Sequence, residues 1–252
     1  MSSTAEGSDE AATSQTLLFA RDLARLQRLR RQYEQLLPAR LDPDAMAPAA
    51  PLVRDAVVLF TDLRGFTRLA ERFDDDPTGL LNVVNEHMSV IVAALLRCGG
   101  VIEKFVGDGV FATFGARSDL DHPAEAAVAS ALACVGATAV LNRRRSADWG
   151  FQLEVAVGVA SGPVVIGQIG PPARAEFGVL GDAVNVASRL SSTAAASEVL
   201  LTMRVHHALG GNVQTELLGS QAVRGRAGAI ELYRIALRRP AGPAPAPERA
   251  RG

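Results

Sequence analysis

From residue 55 onward the chain alternates short, dense apolar runs with longer stretches in which apolar residues recur every three or four positions. Residues 55–62 (DAVVLFTD) form a brief apolar run ending in an acid and predict a buried strand. Across 78–97, Leu81, Val84, Met88, Ile91, Val92 and Leu95 have helical spacing, and Gly99-Gly100 supplies the stop. Residues 101–106 and 110–114 are β-rich runs around Gly107-Asp108-Gly109, a hairpin signal. Residues 123–143 predict a helix with Pro123 in its first turn. Residues 152–159 and 164–169 predict two strands separated by Ser161-Gly162-Pro163. A short strand at 177–180, a helix at 182–193, a helix at 200–209 and a strand at 230–237 complete the pattern. The order strand–helix–strand–strand–helix–strand predicts an α+β fold with a ferredoxin-like βαββαβ core. In that arrangement an antiparallel sheet carries its helices on one face, here extended by additional strands and helices.

The compact domain is expected to span 54–238. Before it, residues 1–13 are polar and acidic and read as a disordered tail. Residues 14–38 are helical in pattern: Phe19, Leu23, Leu26, Tyr33 and Leu37 trace a heptad seam with Arg30 in one slot. That seam reads as a short parallel coiled coil joining two protomers; the alternative is an amphipathic helix lying on its own domain. Residues 39–53 are a Pro/Ala-rich linker, and 239–252 a Pro/Ala-rich disordered tail.

Composition narrows the class. Hydrophobic residues make up 48% of the 252, and 26 Lys and Arg against 27 Asp and Glu leave a net charge of −1. Such a balance exerts no general pull on nucleic acid or an anionic membrane surface. The uncharged stretch 126–141 is short and alanine-rich, with Val128, Leu132, Val135 and Ala139 at helical spacing, so it predicts a buried helix rather than a span. Cys98 and Cys134 lie in apolar helical surroundings outside any CxxC pattern and read as free thiols. With no apolar segment behind a basic N-terminus, the expected setting is the cytoplasm.

The chemistry-bearing signal is a pair of acids. Asp62 closes an apolar strand, and Asp108 sits at the predicted hairpin tip. If their strands are neighbours, two hard carboxylates meet, and such a pair with open positions suits Mg²⁺ or Mn²⁺ carrying a substrate's phosphates. After Asp62, Leu63-Arg64-Gly65-Phe66-Thr67 turns from strand into helix, where unsatisfied backbone N–H groups can take up phosphate. Taken singly, the hairpin Asp is an ordinary turn residue, the other an ordinary cap, and Lys104 a surface charge.

Four stretches together resemble class III adenylyl and guanylyl cyclases: FTDLRGFT at 60–67, EKFVGDGVFATFG at 103–115, GVASGPVVIGQIG at 158–170 and VLGDAVNVASRL at 179–190. The resemblance covers roughly 55–237. It implies that Asp62 and Asp108 hold two divalent metal ions, Mg²⁺ or Mn²⁺, with the Leu63 carbonyl as a further ligand. It implies that Asn185 orients the ribose, that Arg189 stabilises charge on the α-phosphate, and that Gly65, Phe66 and Thr67 line the phosphates. It implies a head-to-tail homodimer, with the aspartates from one protomer and Lys104, Asn185 and Arg189 from the other. The implied reaction is conversion of ATP to 3′,5′-cyclic AMP and pyrophosphate.

The sequence departs from the family pattern in places. Adenine selection in the family pairs a Lys with an Asp, Thr or Ser; Lys104 fills the first position, but Gly178 occupies the second. Lys104 favours ATP, whereas Gly178 leaves a guanylyl or relaxed-specificity cyclase as the alternative. Arg224 stands where a triphosphate-binding Lys is usual, and Ala156 where some members carry a phosphate-binding Arg, a role Arg64 could take over. A non-catalytic nucleotide-binding or dimerisation module is the remaining reading. A diguanylate cyclase is excluded because FVGDGVF is not a GG[DE]EF-type hairpin. No sensor domain is visible in 1–50, which leaves a partner protein, pH, a small molecule or no regulator at all as the alternatives.

Overall fold

The computed structural model describes residues 50–171, 175–222 and 228–235. The expectations for 1–49, for Arg224 and for 239–252 lie outside the described residues. The chain runs β1 (Leu52–Arg64), α1 (Phe66–Arg72), α2 (Pro77–Arg97), β2 (Val101–Val106), β3 (Gly109–Phe114), α3 (Pro123–Trp149), β4 (Glu154–Ile169), β5 (Glu176–Leu180), α4 (Asp182–Thr193), β6 (Val199–Thr202), α5 (Met203–Ala208), β7 (Thr215–Ala222) and β8 (Ala229–Ile235). One eight-stranded sheet has the order β2-β3-β1-β4-β6-β8-β7, with β5 paired to β4. The run β2-β3-β1-β4 is antiparallel throughout, which is the ferredoxin-like core. It is extended by β6, which joins β4 in parallel.

The apolar run in β1 is continuous because the strand is buried on both faces. Val57 and Leu59 point to one side with Val155, Val157 and Val159, under α2 and α3. Ala56, Val58 and Phe60 point to the other, where Ala183, Val186, Ala187 and Leu190 of α4 cover them. The two helices of the ferredoxin-like core, α2 and α3, share one face as expected, and the additional helix α4 packs on the opposite side. By length and composition α2 and α3 could each cross a membrane. Here both are core helices that bury Ile91, Leu95, Val128, Ala131 and Cys134 against the sheet.

Two expectations are corrected, and one strand is new. The two strands at 152–159 and 164–169 are one strand, β4, paired with β1 from Glu154 to Ile166. Pro163 is tolerated because its other edge lies between the β6 contact at 157–159 and the β5 contact at 165–169, so no ladder needs its missing N–H there. The helix expected at 200–209 is instead strand β6 followed by the short α5. Val199 and Leu201 sit in one core and Leu200 in the other, so period-two burial overrides the helical reading. Strand β7 was not foreseen: its sequence TELLGSQA carries a register shift between Leu217 and Gly219 that breaks alternation.

Helices α2 and α3 are joined by a buried polar contact. The Thr138 hydroxyl donates to the Cys134 carbonyl at 2.9 Å, so at 3.1 Å it accepts from His87 Nε2. Nδ1 is left without a partner, and the ring is neutral. Burial pushes the His87 pKa down to about 4. The unfolded chain titrates near 6.5, so between these values it binds the extra proton. This contribution to stability is complete above pH about 6.5 and is lost as pH falls toward 4, up to about 3 kcal/mol. His87→Leu is expected to flatten the fall in melting temperature between neutral pH and pH about 5. An unchanged slope in thermal melts would rule His87 out as the titrating group.

Candidate active site

The site forms at the last residues of β1. The Thr61 hydroxyl accepts the Val110 N–H at 2.9 Å, one step beyond the stacked Phe60–Phe111 pair. Gly109 then approaches β1 so closely that a Cβ would lie 2.2 Å from the Thr61 carbonyl oxygen. The left-handed residue of the hairpin is Gly107, so Gly109 is needed for room rather than for the turn. Thr61 and Gly109 together pin the hairpin to β1 and bring Asp108 beside Asp62. Gly109 was read from the sequence only as part of the turn, and Thr61 was not singled out.

Asp62 is partly exposed and on the α4 side of the sheet. Its carboxyl pKa is raised, chiefly by burial; Arg64 pulls it down and the charge of Asp108 pushes it up. Arg64 Nη1 lies 3.0 Å from Asp62 Oδ2, and Nη2 donates to the Ser191 carbonyl at the end of α4. A cation is well placed at a helix C-terminus. Arg64 is thus engaged by Asp62 and α4. Ala156, directly opposite Asp62 on β4, is fully buried. Leu63 buries its side chain with Leu69, Val83, Leu141 and Leu153, leaving its carbonyl as the group it can offer. Gly65, at φ 74°, turns the chain into α1, which has no side-chain cap. Phe66 packs on the Leu63 cluster and Thr67 is exposed.

A β-bulge sets the direction of Lys104. Ile102 pairs with Ala112 but Lys104 with Phe111, leaving Glu103 as the extra residue. Opposed residues share a face, so Lys104 emerges on the Phe111 side with α4. Regular alternation would have sent it under the helices with Ile102. Glu103 accepts from the Thr113 hydroxyl at 2.7 Å and from Arg117 Nη2 at 2.6 Å. The Arg117 and Glu103 side chains are 0% and 3% exposed. Breaking such a pair strands a buried charge, so Arg117→Met is expected to cost about 3–5 kcal/mol in urea denaturation. Adding Glu103→Gln should recover part of the loss, and no recovery would show that the stranded charge is not its cause.

Lys104 Nζ meets Glu176 Oε2 at 3.1 Å, although β2 and β5 are not neighbours in the sheet. The β4–β5 hairpin therefore curls over the α4 face, where Val164, Ile166 and Val179 join the core of Phe60 and Phe111. Helix α4 lies directly on β4: a Cβ at Gly158 would sit 2.3 Å from the Ala187 carbonyl oxygen. With Ala183, Val186, Ala187 and Leu190 buried, Asn185 and Arg189, four apart, share the outward face. Their side chains form no hydrogen bond or ion pair with the acids among the described residues. The structure thus joins Asp62 with Asp108 and Lys104 with Glu176, and leaves Asn185 and Arg189 facing away from the domain's own core.

Residues 50–236 match the family described as adenylate and guanylate cyclase catalytic domain. An uncharacterised protein of Mycobacterium tuberculosis is 34% identical over 173 residues, 64% of this chain and 30% of that protein. The adenylate cyclase of Anabaena cylindrica is 32% identical over 145 residues, 56% of this chain and 28% of that protein. The chain thus spans about a third or less of the length of these relatives. The crystal structure of the adenylyl cyclase CyaB from P. aeruginosa matches with a TM-score of 0.71 and 29% identity, covering 75% of this chain and 97% of that one. That of the guanylyl cyclase Cya2 matches with a TM-score of 0.66 and 28% identity, covering 73% and 93%. Paired acids on β1 and the β2–β3 hairpin, a sheet of this order and a family match over most of the chain agree: the chain belongs to the class III adenylyl and guanylyl cyclase catalytic domains.

Proposed function

We propose that this domain is an adenylyl cyclase that closes ATP to 3′,5′-cyclic AMP at the interface of a homodimer. The carrying observation is the placing of Asp108, at the hairpin pinned to β1 by Thr61 and Gly109, close enough for its charge to act on Asp62, with Arg64 as the cation beside Asp62. Among the described residues no cluster of three His, Cys, Asp or Glu side chains exists that could hold a metal ion. Two carboxylates and the Leu63 carbonyl fit an ion that takes its other ligands from substrate phosphates and water, as Mg²⁺ and Mn²⁺ do. A divalent cation bound there supplies a lowered pKa at the ribose 3′-hydroxyl and neutralises charge on the phosphates.

The chain's own groups supply the rest. The 3′-hydroxyl gives up its proton to water, its oxygen bonds to the α-phosphorus, and the bond from the α-phosphorus to the bridging oxygen breaks as pyrophosphate departs. Asn185 orients the ribose, and Arg189 donates to the α-phosphate as charge builds. Backbone N–H groups at Gly65, Phe66 and Thr67 face the phosphates, and Arg224 is assigned to the triphosphate. Lys104 donates to adenine N1. Support for the dimer comes from Phe105 and Val106, 54% and 51% exposed at the hairpin that carries Asp108. Val53, Val165 and Leu180 form a second exposed row in cross-strand register. The free thiols Cys98 and Cys134 suit the cytoplasm.

One observation favours a second reading. Position 178 has no side chain, and Ile169 Cδ1 lies 2.5 Å from where its Cβ would be, so nothing there selects adenine. The test is incubation with Mn²⁺ or Mg²⁺ and either ATP or GTP, with chromatography of the cyclic product. Cyclic AMP is expected. Nucleotide binding without cyclic product from either substrate would leave only the non-catalytic module.

A further inference from the structure

We propose that Glu176 supplies the acceptor that reads the purine base, and that the Lys104–Glu176 pair admits guanine as well as adenine. This rests on the cyclase reading above and names the substrate class of that site. Positions 176 and 178 are two apart on β5, so their side chains leave the strand on the same face. Gly178 contributes no group, and the Ile169 side chain fills the space beside it. Glu176 instead reaches Lys104, 72 residues away in sequence, at 3.1 Å. The base-contacting lysine thus already carries a carboxylate partner, one residue pair along from the position the sequence pattern marks.

The chemistry of this pair differs from that of a lysine with a hydroxyl. An ammonium only donates and an ionised carboxylate only accepts. Adenine offers an acceptor at N1 and a donor at its amino group. Guanine offers an acceptor at O6 and two adjacent donors at N1 and N2. The ammonium can meet N1 of one or O6 of the other. The carboxylate can take one amino hydrogen from adenine or both donors of guanine. The order of donor and acceptor along the edge is reversed between the bases. Both side chains are about two-thirds exposed, 64% and 66%, so either order is within reach. An ion pair so exposed opens at little cost.

The test is calorimetric titration of the whole chain with α,β-methylene ATP and α,β-methylene GTP in Mg²⁺, whose methylene bridge blocks pyrophosphate departure. The wild type is expected to bind both. Glu176→Gln keeps size but removes the charge and one acceptor. It should weaken the GTP analogue about tenfold and the ATP analogue by about threefold or less. Melting temperature measured alongside confirms the fold. An affinity ratio that stays unchanged, or moves toward GTP, overturns the proposal while leaving the cyclase reading intact. A wild type that binds neither analogue overturns both.

Discussion

Asp62→Asn is expected to abolish metal-dependent turnover, by on the order of 10³ or more, while leaving the fold as stable as before. The two halves of this expectation share one cause. The Asp62 carboxyl is raised in pKa by burial and by Asp108, against the pull of Arg64. Its charged form is therefore disfavoured by folding. Stability from this group is present at low pH and declines as pH rises through its folded pKa, the opposite of a well-paired aspartate. The neutral amide removes that cost, while loss of the Arg64 ion pair offsets part of the gain. Function needs the charge, because a neutral amide makes a poor ligand for a hard cation. Thermal melts with and without Mn²⁺ plus α,β-methylene ATP separate the two effects. The wild type should gain stability on addition and Asp62→Asn should not. An equal gain in both would remove Asp62 from the metal site, whatever the assay shows.

Arg189→Ala should lower kcat by about 10²–10³, the usual cost of losing one donor to a charge that develops in the transition state. Arg189 is held by the buried face of α4 and forms no ion pair among the described residues, so the fold should be unaffected. If the site is shared between protomers, each mutant homodimer carries its defect in both sites, whereas in a mixed dimer the Asp62→Asn and Arg189→Ala defects fall in the same site. Each heterodimer then keeps one intact site. Random mixing of the two inactive proteins should restore about a quarter of wild-type activity. A mixture that stays inactive despite verified heterodimers would refute the shared arrangement.

Arg64 links these two predictions physically. Its guanidinium joins Asp62 to the Ser191 carbonyl, the end of the helix that carries Arg189. In a shared arrangement, one protomer's Asp62 and its own α4 serve different sites. The contact would make the two half-sites of a protomer mechanically continuous. Nothing in the local sequence distinguishes Arg64 from a surface arginine, since the Ser191 carbonyl lies 127 residues away in sequence.

Much of this protein was legible before folding was considered. The strand at β1, the helices α2, α3 and α4 and the hairpin followed from spacing alone, because burial of one stripe or one face leaves a periodic trace. Asp62 and Asp108 stood out as acids at element ends, while Asn185 and Arg189 were marked only by the resemblance of their motif to the cyclase family. Long-range consequences were not legible. The bulge at Glu103 that turns Lys104 to the α4 side depends on a buried partner, Arg117, fourteen residues on. The joining of β4 across Pro163 depends on what lies beside it, not on the proline itself. The strand β6 reads as a helix until its two neighbours in the sheet are known. Local sequence determined the strand at β1, the β2–β3 hairpin and the helices α2, α3 and α4, because those choices leave a periodic trace within a few residues. Only the tertiary structure decided which face Lys104 uses, what holds Arg64, and that Glu176 meets Lys104, because each is settled by contacts between segments far apart in the chain.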